Sequence, residues 1–168
     1  MIYNPPMPTK TAKSKAPKPS AAVPASVLWL DNQLCFALYS TSLTMTKVYK
    51  PWLAQHGLTY PQYVTLLALW QRDGQTVSEL GEQLFLDSGT LTPLLKRMQS
   101  AGLLRRERST DDERVVQITL SDKGRALQEA AADIHAALAC SIGCKPDEFR
   151  ALTRVLQQLR ASLVRAGQ

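Results

Sequence analysis

The stretch TVSELGEQLFLDSGTLTPLLKRMQSAGLLRRERSTDDERVVQITLSDKGRALQ, residues 76–128, decides the fold, because its hydrophobic pattern changes twice. It begins with a short helical pattern that Ser78 can cap and that places Leu80 on the inner face. A break at 87–89 separates this period from a second one with helical spacing. The second period places four apolar residues on one face, at Leu91, Leu94, Leu95 and Met98. Two short helices joined by a tight turn predict a helix-turn-helix over about 76–101.

The same stretch continues into a predicted β-hairpin. Gly102 ends the second helix, and strands are expected at 103–107 and 115–120, where the second strand alternates apolar and polar residues. The connection RSTDDER is polar and typical of a turn. This hairpin would form a wing over about 103–120. The sequence therefore predicts a mainly α fold with a small β-hairpin wing, a winged helix-turn-helix.

Helices are also predicted before this unit. Asp31 or Asn32 can cap a helix over about 28–49. Pro51 should break or restart it, since proline lacks the amide proton and its ring clashes with the preceding turn. Tyr60-Pro61 then opens another helix, with proline in its first turn. Its apolar stripe is expected at Val64, Leu67, Ala68 and Trp70.

The chain closes with helical patterns whose apolar faces lack a partner. Ser121 begins a helix that runs to about 139, and a last helix follows Pro146. That helix has heptad-like spacing at Phe149, Leu152, Val155, Leu156, Leu159 and Leu163. We expect the helices at about 28–49 and 121–166 to be dimerisation helices, buried in a symmetric homodimer. Packing within one chain is the alternative.

The positive charge is concentrated at the N-terminus. The 168 residues carry a formal net charge of +6. Residues 1–26 hold no acidic residue but six of the ten prolines and four lysines, Lys10, Lys13, Lys15 and Lys18. Such a segment cannot bury enough apolar surface to offset the entropy of ordering. We predict a disordered basic tail over 1–26, either solubilising or touching DNA phosphates, and a folded domain over 27–168.

Several classes of protein are disfavoured. Three cysteines cannot form a disulfide framework, and no apolar run approaches the roughly 20 residues of a membrane span. The N-terminus also lacks a secretory signal, so a cytoplasmic protein is expected. The two histidines, His56 and His135, have no partners at metal-ligand spacing, and no glycine-rich phosphate loop is present. We therefore expect no metal, no cofactor, no membrane contact and no enzymatic activity.

The motifs identify a family. The segment at 87–124 resembles the MarR family of winged-helix repressors. The stretches LDNQLCFALYSTS (30–42), MTKVYKPWL (45–53) and LTYPQY (58–63) are similar to its organic hydroperoxide-sensing subgroup, OhrR, of the two-cysteine type. The resemblance extends over roughly 28–166. It implies a repressor of a peroxide-detoxification gene that binds a pseudo-palindromic operator as a homodimer.

The candidate DNA contacts lie on the second helix and the wing. Short polar and basic side chains suit the base edges of the major groove, and others contact phosphates. The resemblance implies that Arg114 reaches into the minor groove and that Asp112 orients the wing. The full candidate set is Ser88, Thr90, Thr92, Lys96, Arg97, Arg105, Arg106, Arg108, Asp112 and Arg114.

The candidate sensor is Cys35, close to a predicted helix start, where the helix dipole favours a thiolate. The resemblance makes it the residue that the peroxide oxidises, with Tyr49 and Tyr60 of the opposite subunit around it. Phe36 and Trp52 would favour an organic peroxide. The resulting sulfenic acid would condense with a second thiol of the other chain. Candidates for that thiol are Cys140, which the resemblance favours, and Cys144.

Two other functions remain possible for such a chain. One is a MarR-type repressor released by a small molecule at the dimer cleft, with incidental cysteines. The other is a thiol peroxidase on a helical fold. Replacing Cys35 by serine separates the first from the sensor, and turnover with excess peroxide identifies the second.

Overall fold

The computed structural model describes residues 24–108, 112, 114–143 and 145–167. The chain divides after Ser40 into two compact units. The predicted basic tail lies, up to residue 23, outside the described residues. The predicted end of the tail at residue 26 is wrong, because Ala25 and Ser26 belong to a short 3-10 helix that spans Ala25–Leu28.

The first long helix begins slightly later than predicted. Leu30–Asn32 form a second 3-10 turn, so Asp31 and Asn32 do not cap the helix; the Asn32 side chain donates to the Ser26 carbonyl at 2.7 Å. Helix α1 spans Leu34–Gln55, and the Gln33 carbonyl accepts the Ala37 amide at 3.0 Å. A hydrogen-bonded turn therefore leads directly into the helix.

The predicted break at Pro51 is wrong. Helix α1 continues through this residue to Gln55. The missing hydrogen bond and the ring clash cost about 3 kcal/mol. Burial of Leu53, 2 % exposed, two residues further on, offsets this cost. The chain then turns at Gly57, whose φ of +64° suits glycine.

Helix α2 spans Tyr60–Gln71 and is capped by Thr59, whose amide donates to the Gln62 side chain at 2.8 Å. Its buried face differs from the predicted stripe. Tyr63, Leu66 and Leu69 are buried, together with Thr65 and Ala68, whereas Leu67 is 39 % exposed. The hydroxyl of Thr65 is satisfied by the Pro61 carbonyl at 2.8 Å, so a polar residue fits this face.

The helix-turn-helix consists of α3, Val77–Leu84, and α4, Ser88–Ser100. The cap of α3 is Thr76 rather than Ser78, and Glu79 completes a capping box by accepting the Thr76 amide at 2.7 Å. The predicted apolar face of α4 is fully buried: Leu91, Leu94, Leu95 and Met98. Among the described residues, Phe85 in the connecting turn is the one non-glycine residue with positive φ, +56°.

The wing belongs to a three-stranded antiparallel sheet in the described part of the chain. Its strands are β1, Gln75–Thr76, β2, Leu104–Arg108, and β3, Val116–Leu120, in the order β1-β3-β2. Leu104 pairs with Leu120 and Arg108 with Val116, while β1 pairs with β3 at Gln75 and Ile118. Strand β1 is absent from the prediction. Most of the predicted turn, residues 109–111 and 113, lies outside the described residues.

Two long helices follow the sheet. Helix α5 spans Asp122–Ile142, capped by the Ser121 hydroxyl, and helix α6 spans Pro146–Ala166. Helix α6 presents exposed apolar side chains that include Leu152, Val155, Leu156 and Leu163. Within the described residues, no helix combines the length and apolar character that membrane crossing requires.

Candidate functional site

The N-terminus of α4 is held by a cap that involves a candidate DNA contact. Asp87 Oδ1 accepts the Thr90 amide at 2.9 Å, and the Thr90 hydroxyl donates to Asp87 Oδ2 at 2.8 Å. These hydrogen bonds, the backbone one first, lower the pKa of Asp87. The hydroxyl proton of Thr90 is thus engaged, and its oxygen lone pairs point to an acceptor role. Ser88, next to the cap, is exposed.

The outward face of α4 contains two residues that the sequence reasoning missed. At 100° per residue, Gly89, Pro93 and Lys96 lie opposite the buried stripe, and all three are exposed. Arg97 is exposed at one flank, and Thr92 is half-buried at the other. The helical period that identified the core face also identifies Gly89 and Pro93, because they lie half a turn from it.

The wing arginines do not form one set. Antiparallel partners share a sheet face, so Arg106 lies on the face of its partner Ile118, which is fully buried. Arg105 alternates to the opposite face and is exposed. Arg106 is half-buried. Its Nε is the one side-chain nitrogen or oxygen atom in the described part of the chain that is buried without a hydrogen-bond partner. Arg108 is exposed at the end of β2.

At the described end of the wing, Asp112 binds Arg114 at three points. Its Oδ1 accepts the Arg114 backbone amide at 2.9 Å and Nε at 3.1 Å, and its Oδ2 accepts an Nη2 donor at 3.2 Å. The guanidinium, followed by the backbone amide, lowers the pKa of Asp112. The Arg114 side chain is 91 % exposed. The pair therefore presents an oriented cation to solvent.

Cys35 lies in the first turn of α1 as a free, exposed thiol. Backbone amides at a helix start lack intrahelical acceptors and stabilise negative charge. No acidic residue stands in this turn to oppose that effect among the residues that the structure describes. Phe36, the next residue, is half-buried.

The second unit contains a cluster of tyrosines. The ring centroids of Tyr49 and Tyr60 lie 5.1 Å apart, and those of Tyr49 and Tyr63 lie 5.8 Å apart. Burial, reinforced by the neighbouring Tyr60 and Tyr63, raises the pKa of Tyr49 to about 12. Its phenol therefore stays a proton donor at neutral pH. Trp52 is 37 % exposed. Tyr63 was missed as a site residue, although its spacing of three from Tyr60 indicates neighbouring positions on a helix.

The side chains of the two candidate resolving cysteines lie outside the part of the chain that the structure describes. Cys140 belongs to the last turn of α5, and its side chain is outside the described part. Cys144 lies outside the described residues. Over the described ranges, no three side chains of histidine, cysteine, aspartate or glutamate converge as a metal site.

Comparison with known proteins gives consistent matches. The profile of the transcriptional regulator SarA/Rot family matches residues 47–131. The organic hydroperoxide resistance transcriptional regulator of Bacillus subtilis is 57 % identical over 105 residues, 62 % of this chain and 71 % of its own length. The HTH-type transcriptional regulator TtmR of Methylorubrum extorquens is 48 % identical over 139 residues, 82 % of this chain and 71 % of its own.

Among solved structures, AbfR is similar in several states. Reduced AbfR bound to DNA superposes with a TM-score of 0.70 and 39 % identity, covering 83 % of this chain and 95 % of AbfR. Overoxidised AbfR bound to DNA gives 0.66 and 41 %, covering 80 % and 94 %, and disulfide-formed AbfR gives 0.57 and 42 %, covering 77 % and 91 %. The mainly helical fold, its small antiparallel sheet and these relatives together identify the chain as a transcriptional regulator of the MarR family of winged-helix proteins, within its OhrR-like branch.

Proposed function

We propose that this chain is a homodimeric repressor that organic hydroperoxides release from its operator through oxidation of Cys35. The observation that carries the proposal is the free, exposed Cys35 thiol in the first turn of α1, in a chain 57 % identical to an organic hydroperoxide resistance regulator. An exposed thiol at a helix start has the access and the electrostatic environment that peroxide reaction requires.

DNA binding is attributed to α4 and the wing. The side chains of Lys96 and Arg97 are exposed on α4, and Arg114 projects from the wing. A helix in the major groove and an arginine in the narrower minor groove fit the charge and width of each. The solved structures of AbfR bound to DNA support DNA binding by a protein of this fold.

The dimer is attributed to the exposed apolar residues of the terminal helices. Leu152 and Leu163 of α6 are 56 % and 60 % exposed. They belong to a row of regularly spaced apolar residues that a second copy of the chain would cover. Two-fold symmetry then predicts an operator with two half-sites about one helical turn, ~10 bp, apart.

The sensing chemistry proceeds in two balanced steps. The Cys35 thiolate attacks an oxygen of the hydroperoxide, an S–O bond forms, the O–O bond breaks, and the alkoxide leaves and becomes an alcohol. Sulfur loses two electrons and the peroxide gains them. The Cys140 thiolate of the other subunit then attacks the sulfenic sulfur, an S–S bond forms, the S–O bond breaks, and hydroxide leaves and takes up a proton from solvent to become water.

The tyrosines are assigned to hold the thiolate. Tyr49 is a protonated phenol at neutral pH, as is any tyrosine with a pKa of about 10 or above, so it can donate a hydrogen bond to the negative sulfur of the partner chain. Phe36 and Trp52 are assigned to contact the organic group of the peroxide. Release is assigned to the disulfide step, because overoxidised AbfR is known bound to DNA.

The test is fluorescence anisotropy of the DNA upstream of the gene for this chain. Reduced protein should bind tightly, one equivalent of cumene hydroperoxide should release it, and dithiothreitol should restore binding. The matched variant Cys35→Ser should bind with unchanged affinity and ignore the peroxide. Wild-type binding that ignores the peroxide would reject the sensor and favour a repressor released by a small molecule.

A further inference from the structure

Three aromatic rings form a packed run from the sensor tyrosines into the core. This aromatic run consists of Tyr49, Tyr63 and Trp70. The Tyr49 and Tyr63 ring centroids lie 5.8 Å apart, and Tyr63 meets Trp70 edge-on at 6.4 Å. Tyr63, in the middle, is only 4 % exposed. Because protein interiors are close-packed, Tyr63 cannot absorb a displacement of Tyr49 without moving against Trp70.

Trp70 connects the aromatic run to the beginning of α5. Its indole Nε1 donates a hydrogen bond to the Gly124 carbonyl at 3.0 Å, across 54 residues of sequence. Gly124 itself lies directly against the backbone of Leu103, three residues after the end of α4, since a Cβ at this position would overlap the Leu103 carbonyl oxygen. The hydrogen bond therefore ends at a residue that packs closely against the segment following α4.

The beginning of α5 is hydrogen-bonded to the three residues that directly follow the recognition helix α4. Lys123 Nζ donates to the Ala101 carbonyl at 2.9 Å, and the Ser121 hydroxyl donates to the Gly102 carbonyl at 2.6 Å. The Ser121 amide donates to the Leu103 carbonyl at 3.2 Å. These three donors, which we call the α5 clamp, bind three consecutive carbonyls that follow α4. The α5 clamp therefore connects the start of α5 to the segment between α4 and strand β2.

We propose that Trp70 is a positioning residue that couples the sensor tyrosines to the recognition helix through its hydrogen bond to Gly124. The proposal rests on the proposed function, because it assigns the path by which oxidation lowers DNA affinity. Contiguous packing and hydrogen bonding connect Tyr49, Tyr63, Trp70, the first turn of α5 and the α5 clamp. Such a path acts on the release step rather than on the thiol chemistry.

The test variant is Trp70→Phe, which keeps a ring in the core and removes the Nε1 donor. Reduced variant and wild type should bind operator DNA with similar Kd. Loss of free thiol after one equivalent of cumene hydroperoxide, and the yield of intersubunit disulfide, should also match. The increase in Kd on oxidation should be roughly twofold to thirtyfold smaller in the variant, the range expected when one coupling contact is removed.

Two further variants make the result decisive. Trp29→Phe makes the same chemical change at a tryptophan that is 66 % exposed, and it should show the wild-type increase in Kd on oxidation. Tyr63→Leu removes the middle ring of the aromatic run and should reduce the increase in Kd on oxidation as Trp70→Phe does. With two independent variants, the test still works if one of them does not fold. Unchanged release in both run variants, with wild type released normally, would overturn the role of Trp70. A wild-type dimer that stays on DNA after oxidation would instead contradict the proposed function.

Discussion

The Asp112 carboxylate binds Arg114 through its backbone amide, Nε and Nη2 together, so the wing arginine is fixed in direction while its side chain stays 91 % exposed. Such an arrangement costs little additional entropy when the guanidinium enters a DNA groove, because its direction is set beforehand.

Replacing Arg114 should therefore weaken operator binding. We expect Arg114→Ala to raise the Kd of the reduced protein about tenfold, within the range for loss of a groove contact. Arg114→Lys should recover little, because lysine cannot reproduce the planar fork that Asp112 holds. The measurement is anisotropy at fixed salt, with Arg150→Ala as the control, since Arg150 pairs with Asp147 on α6 and carries the same charge. Equal losses for both variants would assign the effect to net charge.

The two candidate resolving cysteines give opposite expectations. Cys140→Ser should still lose the Cys35 thiol with one equivalent of peroxide but form no intersubunit disulfide and remain on DNA. Cys144→Ser should behave as wild type. Non-reducing electrophoresis and anisotropy on the same samples make the comparison, and the reverse pattern would assign the disulfide to Cys144.

The capping box of α3 should make stability sensitive to acid. The Thr76 amide, followed by the Thr76 hydroxyl and Arg72, lowers the pKa of Glu79 below its ordinary 4.5. This stabilisation is present above pH 4.5 and is lost as pH falls through the lowered value. Glutamine keeps a capping box without titrating. Urea unfolding from pH 6 to pH 3 should show a shallower loss for Glu79→Gln, while Glu79→Ala should be less stable at pH 6 already.

Alkaline pH should affect the tyrosine cluster in the opposite sense. The pKa of Tyr49 is raised to about 12, so the folded protein keeps this proton where the unfolded chain loses it near pH 10. The corresponding stabilisation is complete below pH 10 and is lost as pH rises through about 12. Absorbance at alkaline pH should show a late phenolate step that Tyr49→Phe removes. An identical titration of both proteins would contradict the burial of this phenol.

Two adjacent leucines in α2 should differ in their contribution to stability. Leu66 is fully buried, so Leu66→Ala should lower the free energy of unfolding by about 2–5 kcal/mol. Leu67 is 39 % exposed, and Leu67→Ala should cost less than about 1 kcal/mol. Urea denaturation at matched protein concentration makes the comparison, and similar losses would favour the apolar stripe predicted from the sequence.

Helix α4 was predictable because the apolar pattern that indicates it lies entirely within one short segment of the sequence. Leu91, Leu94, Leu95 and Met98 repeat with the period of one helix, and all four are buried. The break at Pro51 was wrong because a local rule cannot include the burial of Leu53 beyond it. Strand β1 was missed since two residues show no alternation and are a strand only by pairing with β3, more than 40 positions later.

The candidate site could likewise be predicted only in part from the sequence. Cys35 at a helix start followed from residue type and position, and the structure has it exposed in the first turn of α1. Which of Arg105 and Arg106 faces the core depends on the strand register, because a slip of one residue exchanges the two faces of a strand. The link from Trp70 to Gly124 spans 54 residues, so no local pattern could indicate it.

The contact between Gly124 and the Leu103 carbonyl has a genetic consequence. Every substitution at position 124 adds at least a Cβ that overlaps this oxygen, so alanine, serine and larger residues all force α5 away from the end of α4. Position 124 touches neither operator nor peroxide in the proposed mechanism, so we expect substitutions there to act through the placement of α5 against the segment that follows α4. A selection for cells that have lost repression while still producing the protein should repeatedly recover missense alleles at this codon.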